Sequence, residues 1–132
     1  MKLITRDTDY AIRSILAIAG HEGVVAATEL EKEIKVPRPF LRKILQSLQK
    51  RGILRSYKGK RGGFTIKRDL SKIRLTDMVR IFQGPIKLNE CIFKKHICPN
   101  RSKCPIRRKI IAIERHVIRE LNSITLESFL RK

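Results

Sequence analysis

Between Lys35 and Arg68 the chain carries twelve Lys or Arg and no acidic residue, yet apolar side chains recur through the same stretch at regular spacing. Such a segment can fold only by turning its aliphatic groups one way and its cations the other. Pro37 near a first turn, then Leu41, Ile44, Leu45 and Leu48 on one face, then Gly52 as a stop, predict a helix of about four turns from Pro37 to Arg51. A face exposed merely to water would mix charges of both signs. An acid-free one calls for a polyanion, and phosphate backbones are the commonest that a cytoplasmic domain meets.

The elements on either side sharpen this reading. Thr28 and Glu31 form a capping-box pattern for a short helix reaching about Lys35, with Leu30 and Ile34 facing inward and a turn at Val36 and Pro37. Two short helices joined by a tight turn, the second of them basic, make a helix-turn-helix. After Gly52, the runs Ile53 to Tyr57 and Phe64 to Lys67 predict two strands around Lys58-Gly59-Lys60-Arg61-Gly62-Gly63. The glycines permit a tight hairpin, and the interleaved cations charge its tip. The expected architecture is mainly α with a small β-hairpin wing: a winged helix-turn-helix with its second helix in the major groove of double-stranded DNA. The candidate DNA-binding residues are Arg38, Pro39, Phe40, Arg42 and Lys43 on the helix, with Lys58, Lys60 and Arg61 on the wing.

A first helix is expected after Thr5, with Ile12, Ile15, Leu16 and Ala19 as its buried stripe and Gly20 and Gly23 at its end. Another runs from about Leu75 to Phe82 and is closed by Gly84 and Pro85. The last is long: Ile106, Ile110, Ile113, Val117 and Leu121 form one stripe, with Ile111 and Ile118 lying off it. Those apolar positions exceed what one small core requires, so the segment Pro105 to Ile124 reads as a homodimer interface holding two DNA-reading units at fixed separation.

With 132 residues, 42% of them apolar, and a net charge of +19, the chain fits one compact domain with an appended element. Its parts are expected to be a DNA-binding domain at 1–84, a cysteine-containing loop at 85–104, and a dimerisation helix and tail at 105–132. The apolar stretch Ala11 to Gly20 superficially resembles a signal peptide, but Asp7 and Asp9 precede it and Arg13 interrupts it. No apolar run reaches the roughly 18 residues of a bilayer span, so a cytoplasmic protein without membrane partners is expected.

All three cysteines, Cys91, Cys98 and Cys104, fall in one short segment, which carries seven Lys or Arg and no acid from Cys91 to Lys109. An odd number at this spacing makes a poor disulfide framework. Cationic surroundings favour thiolates, the form that binds metal or reacts with oxidants. The spacing matches neither a zinc ribbon nor a ferredoxin run, so a metal or iron–sulfur site, redox-active thiols and incidental cysteines all stay open at this point.

Several motifs, in order and across nearly the whole chain, resemble bacterial regulators of the Rrf-two type, a family that includes the IscR and NsrR regulators. They are Asp9-Tyr10-Ala11-Ile12-Arg13, the helix from Pro39-Phe40-Leu41 to Leu48, Gly62-Gly63-Phe64, Leu75-Thr76-Asp77, Gly84-Pro85, the cysteine trio and Ser123-Ile124-Thr125-Leu126. The resemblance implies a dimeric winged-helix transcription factor whose Cys91, Cys98 and Cys104 hold an iron–sulfur cluster, 2Fe-2S or 4Fe-4S, that modulates DNA binding.

The matching positions also imply a fourth ligand. IscR-type members place a histidine three residues after the last cysteine, where this chain has Arg107, which stays protonated and cannot ligate. NsrR-type members use an aspartate of the opening helix from the other subunit, and the matching residue is Asp9. The rival role for Asp9 is to complement the helix dipole. His96 lies in the loop as a second candidate ligand, while His116 on the long helix reads as structural and His21 falls in a solvated turn.

Two further positions carry information by the same comparison. Arg42 occupies the place from which relatives touch base edges, and its guanidinium suits guanine O6 and N7. Lys60 and Arg61 stand where many relatives have proline and glycine, which leaves this wing more basic. The competing functions are a cluster-free thiol sensor that still binds DNA and, from a different class, a small iron–sulfur electron carrier. The carrier has no use for twelve cations on a winged helix, and no paired carboxylates or His–Cys pair suggests an enzyme.

Overall fold

The computed structural model describes residues 2–88 and 104–130. The described residues form five α-helices and a two-stranded hairpin in the order α1 (Arg6–Ala19), α2 (Ala27–Ile34), α3 (Arg38–Lys50), β1 (Leu54–Tyr57), β2 (Gly63–Ile66), α4 (Leu75–Gln83) and α5 (Pro105–Asn122). One 3₁₀ turn at Leu70–Lys72 precedes α4 and another at Leu126–Leu130 follows α5. The mainly helical architecture with a small hairpin is the one expected from the sequence.

Helix α1 is the central element. Thr5 caps it by accepting the Thr8 N–H, Asp7 and Asp9 sit favourably in its first turn, and it packs against α2, α3, α4 and β2. Its buried face is Thr8, Ala11, Ser14, Ile15 and Ile18, whereas Ile12, Leu16 and Ala19 of the expected stripe are only half-buried. The expected stripe is therefore displaced, because α1 has apolar neighbours on more than one side. Ala11, Ile15 and Ile18 meet Leu30, Leu41, Leu45, Leu48 and Ile53 in the main core. Ile12 also packs toward a second cluster formed by Leu75, Val79 and Leu121.

The capping box at Thr28 and Glu31 does not form. The chain enters α2 two residues early, with Ala26 at the cap and no side-chain bond to it. Both backbone groups of Val25 are bonded to Phe64, at 3.0 and 2.9 Å, which fixes the approach, and the Glu31 carboxylate is engaged by Arg38 instead. Lys35 ends α2 in the left-handed conformation with its N–H on the Glu31 carbonyl, Val36 is buried, and Pro37 caps α3. Three residues thus make the whole helix-turn-helix corner.

In the hairpin, Leu54 pairs with Ile66 and Tyr57 with Gly63, antiparallel, and the Val25–Phe64 bridge adds a short third rung. After α5 the chain returns to the body formed by α1 to α4: Thr125 bridges Arg74, and Leu126 is fully buried in the main core. The tail is therefore part of the packing that holds α1 and α3.

A single glycine makes the junction between wing and corner possible. A Cβ on Gly63 would lie 2.2 Å from the Val25 carbonyl oxygen, which belongs to the bridged backbone. Gly63→Ala is expected to destabilise the protein by about 1–3 kcal/mol, read as a lower urea midpoint at unchanged slope, whereas Gly52→Ala, with open space around it, lacks that clash and carries only the strain of its positive φ.

Candidate nucleic-acid interface

Helix α3 buries Leu41, Ile44, Leu45 and Leu48, as the sequence predicts, and every position between them is turned outward to some degree. Arg38, Pro39, Phe40, Arg42, Lys43, Gln46, Gln49 and Lys50 are all exposed, and Phe40 leaves 47% of its surface in water. An exposed aromatic on a cationic helix is costly in water and useful against the methyl group of thymine. No acid caps the first turn of α3, so its N-terminus keeps the positive end of the dipole available to phosphate.

The wing is bound to the end of this helix. The Lys67 N–H donates to the Ile53 carbonyl at 2.9 Å, and the Arg68 guanidinium donates to the Arg51 carbonyl at 3.2 Å, satisfying a C-terminal carbonyl of α3. Lys58, Lys60 and Arg61 form the exposed tip, closed by a bond from the Gly62 N–H to the Gly59 carbonyl. At its base, bonds to Thr65 and then Arg55 hold the Tyr57 phenol below its ordinary pKa.

The expected DNA-contact residues thus fall on two connected elements, the outer face of α3 and the hairpin tip. Arg38 differs from the rest: its Nε bonds Glu31 at 2.8 Å, tying α2 to α3, while half of the side chain stays exposed. Gln46 and Gln49 were missed in the sequence reading, which followed charge. The signal for them was present in the helical period, because both occupy outward positions of a helix whose inward ones are all aliphatic.

Of the candidate cluster ligands, Cys91 and Cys98 lie outside the described residues, as does His96. Cys104 is half-buried at the N-cap of α5, where its Sγ accepts the Arg107 N–H at 3.4 Å. Backbone donors of this kind are what cluster sulfurs accept, so the one described cysteine fits the role. Asp9 is partly exposed and bonds Arg13 one turn on at 2.8 Å, which raises the Arg13 pKa above its ordinary value. It is a hard oxygen donor within reach of solvent. Among the described residues no group of three or more His, Cys, Asp or Glu stands together. His116 is exposed on α5, and His21 bonds Glu33 of α2 at 2.7 Å.

Two contacts fix the ends of the cysteine segment on α5. Leu88 donates its N–H to the Glu114 carboxylate at 3.0 Å, and Cys104 begins the helix.

Comparison with known proteins bears on this arrangement as a whole. The Rrf2 family, described as iron-dependent transcriptional regulators, matches residues 4–132. The chain belongs to that family. Its members regulate transcription and are not enzymes. A protein of Aquifex aeolicus named as an HTH-type transcriptional regulator is 36% identical over 90 residues, 67% of this chain and 62% of that one, so the match spans less than two thirds of that relative. Among solved structures, CymR, the global cysteine regulator of B. subtilis, superposes with a TM-score of 0.78 at 23% identity, covering 98% of this chain and 96% of its own. IscR of T. potens gives 0.72 at 22% identity, covering 99% and 87%. These likenesses establish the winged-helix fold. Among the described residues, no helix is long and apolar enough to cross a membrane.

Replacing Lys58, Lys60 and Arg61 together by alanine is expected to weaken binding to every duplex and to flatten the salt dependence by roughly one log–log unit per lost phosphate contact. Titrations at several salt concentrations measure this. An unchanged slope would remove the wing from the interface.

Proposed function

We propose that this chain is a cytoplasmic, homodimeric, sequence-specific DNA-binding transcriptional regulator whose affinity is set by an iron–sulfur cluster. The ligands would be Cys91, Cys98 and Cys104, with Asp9 of a second copy as the fourth. The observation that carries the reading is the joining of α3 and the wing tip into one exposed surface of cations, of which only Arg38 has an acidic partner among the described residues, supported by family membership. Residues 1–84 supply that surface, 85–104 the sensing segment, and 105–132 the dimer contact and the returning tail.

Dimerisation rests on α5. Ile106 and Ile113 are 69% and 52% exposed, and Ile110 is half-buried between them, while the far end of the same stripe is covered by α4 through Val117 and Leu121. About two turns of helix with isoleucine uncovered along one side suit a second copy of the same helix. Ile113→Glu is expected to give monomers in sedimentation and to abolish binding to a two-half-site duplex. Dimers of unchanged affinity would exclude α5 as the interface.

When bound, the cluster would supply a redox-sensitive metal centre that needs all three thiolates. The remaining links are made by the chain's own residues. Cys104 and the Leu88–Glu114 bond hold the sensing segment to α5, and Leu121 packs on Leu75 and Val79 of α4. Gln83 at the end of α4 accepts the Thr5 N–H at 2.9 Å and the Thr8 hydroxyl at 2.6 Å, and donates to the Leu3 carbonyl at 3.1 Å. The start of α1, where Asp9 lies, is thereby clamped to α4, and α1 in turn packs on α3. A shift at the sensing segment therefore has a continuous packed route to the recognition helix, and a coupling of about 1–3 kcal/mol would suffice for control.

Anaerobic purification with absorption spectra and iron and sulfide counts tests the cofactor directly. Each single Cys→Ala variant is expected to lose the cluster and to bind DNA as the apo protein does, while Asp9→Ala keeps a more labile one. Full iron and sulfide in Cys98→Ala would refute the ligand set. A wild type that holds no iron but changes affinity on thiol oxidation would replace the cluster by a thiol switch.

A further inference from the structure

We propose that Gln46 is the residue through which α3 selects an A·T base pair, an inference that rests on the DNA-binding reading above and assigns part of its specificity. The buried side chains Leu41, Ile44, Leu45 and Leu48 define the inward direction of the helix. At about 100° per residue, Pro39, Lys43, Gln46 and Lys50 fall within roughly 30° of the opposite direction. Arg42 lies about 70° to one side and Phe40 about 90° to the other. The ridge that penetrates deepest when α3 enters a groove is therefore the Pro39, Lys43, Gln46 and Lys50 row, with Gln46 near its middle.

Chemistry then separates the four. Pro39 offers no side-chain donor, and Lys43 and Lys50 offer only mobile ammonium donors that suit phosphate or guanine acceptors. Gln46 alone has a donor and an acceptor fixed in one plane. That pair complements the N7 acceptor and N6 donor that adenine shows in the major groove, and no other base edge there matches it as well. Gln46 is exposed and makes no side-chain hydrogen bond among the described residues, so its amide is free for a ligand. Lys43 and Lys50 lie one turn before and after it, and either can hold the helix against the backbone while the amide reads an edge. A glutamate at this place would bring the only acid between Lys35 and Arg68 into the groove.

Selection from a random duplex library by the intact wild-type protein, and by Gln46→Ala, Gln46→Glu and Gln46→Arg, tests this. The wild type is expected to enrich a motif with one A·T pair per half-site whose preference falls roughly tenfold in Gln46→Ala, within the range of a lost bidentate contact. The same position should move toward cytosine contact in Gln46→Glu and toward guanine in Gln46→Arg. Since the amide is neutral, Gln46→Ala should keep the wild-type salt slope and its affinity for unrelated duplex. Replacing that adenine by 7-deazaadenine, which lacks the N7 acceptor, should weaken the wild type several-fold and leave Gln46→Ala unaffected. An identical motif from all four proteins would overturn the assignment while leaving the regulator reading intact. Failure of the wild type to enrich any motif would overturn both.

Discussion

The seam between α3 and α1 is the contact on which the rest of this protein depends. Leu41, Ile44, Leu45 and Leu48 are almost wholly withdrawn from water against Ala11, Ile15 and Ile18. At about 2 kcal/mol per buried aliphatic side chain, the four from α3 contribute roughly 8 kcal/mol of gross burial, comparable to the whole net stability of a small domain. That cohesion opposes the mutual repulsion of a chain with net charge +19. It also fixes the rotation of α3 about its axis, so the same four residues decide which side chains face outward. The hairpin then inherits its position, because Ile53, Lys67 and Arg68 bind it to the end of that helix.

Much of this was legible in the sequence, for a specific reason. Where one face of an element is aliphatic and the other charged, as in α3, the period alone gives both the helix and its orientation. Gly52 and Gly84 marked ends correctly because each adopts a positive φ just beyond its helix. Reading failed where a segment has neighbours on several sides or is set by a partner distant in sequence. The period of α1 could not single out Ala11 and Ile18, since Ile12 has apolar neighbours of its own. The start of α2 follows from the Val25–Phe64 bridge, 39 positions apart, and no local pattern announces it. The clamp from Gln83 to Thr5 and Thr8 spans 75 positions or more and was equally hidden.

The candidate site divides along the same line. Cationic positions on α3 and the wing were evident from composition, and the structure shows them exposed and, except for Arg38, without an acidic partner among the described residues. Neutral side chains such as Gln46 carry no charge signal in the sequence. They emerge only when each outward residue is asked what hydrogen-bonding pattern it can complete. Arg38 shows the converse: it was chosen for its charge, yet its clearest contact is internal, where it braces the corner by holding Glu31 at 2.8 Å.

Division of labour between cations and amides follows from the energetics of groove recognition. Phosphate contacts from a surface this basic supply affinity that is nearly independent of sequence, and every added Lys or Arg strengthens operator and random DNA alike. A wing with Lys60 and Arg61 at its tip therefore raises the background against which selectivity must work. Discrimination has to come from groups that lose more at the wrong base than they gain at the right one. A planar amide held by a rigid helix has that property, because its donor and acceptor are both left unpaired when the base edge is wrong. The more strongly charged the surface, the more the choice of sites rests on its few uncharged polar side chains, and on this helix the fully exposed ones are Gln46 and Gln49.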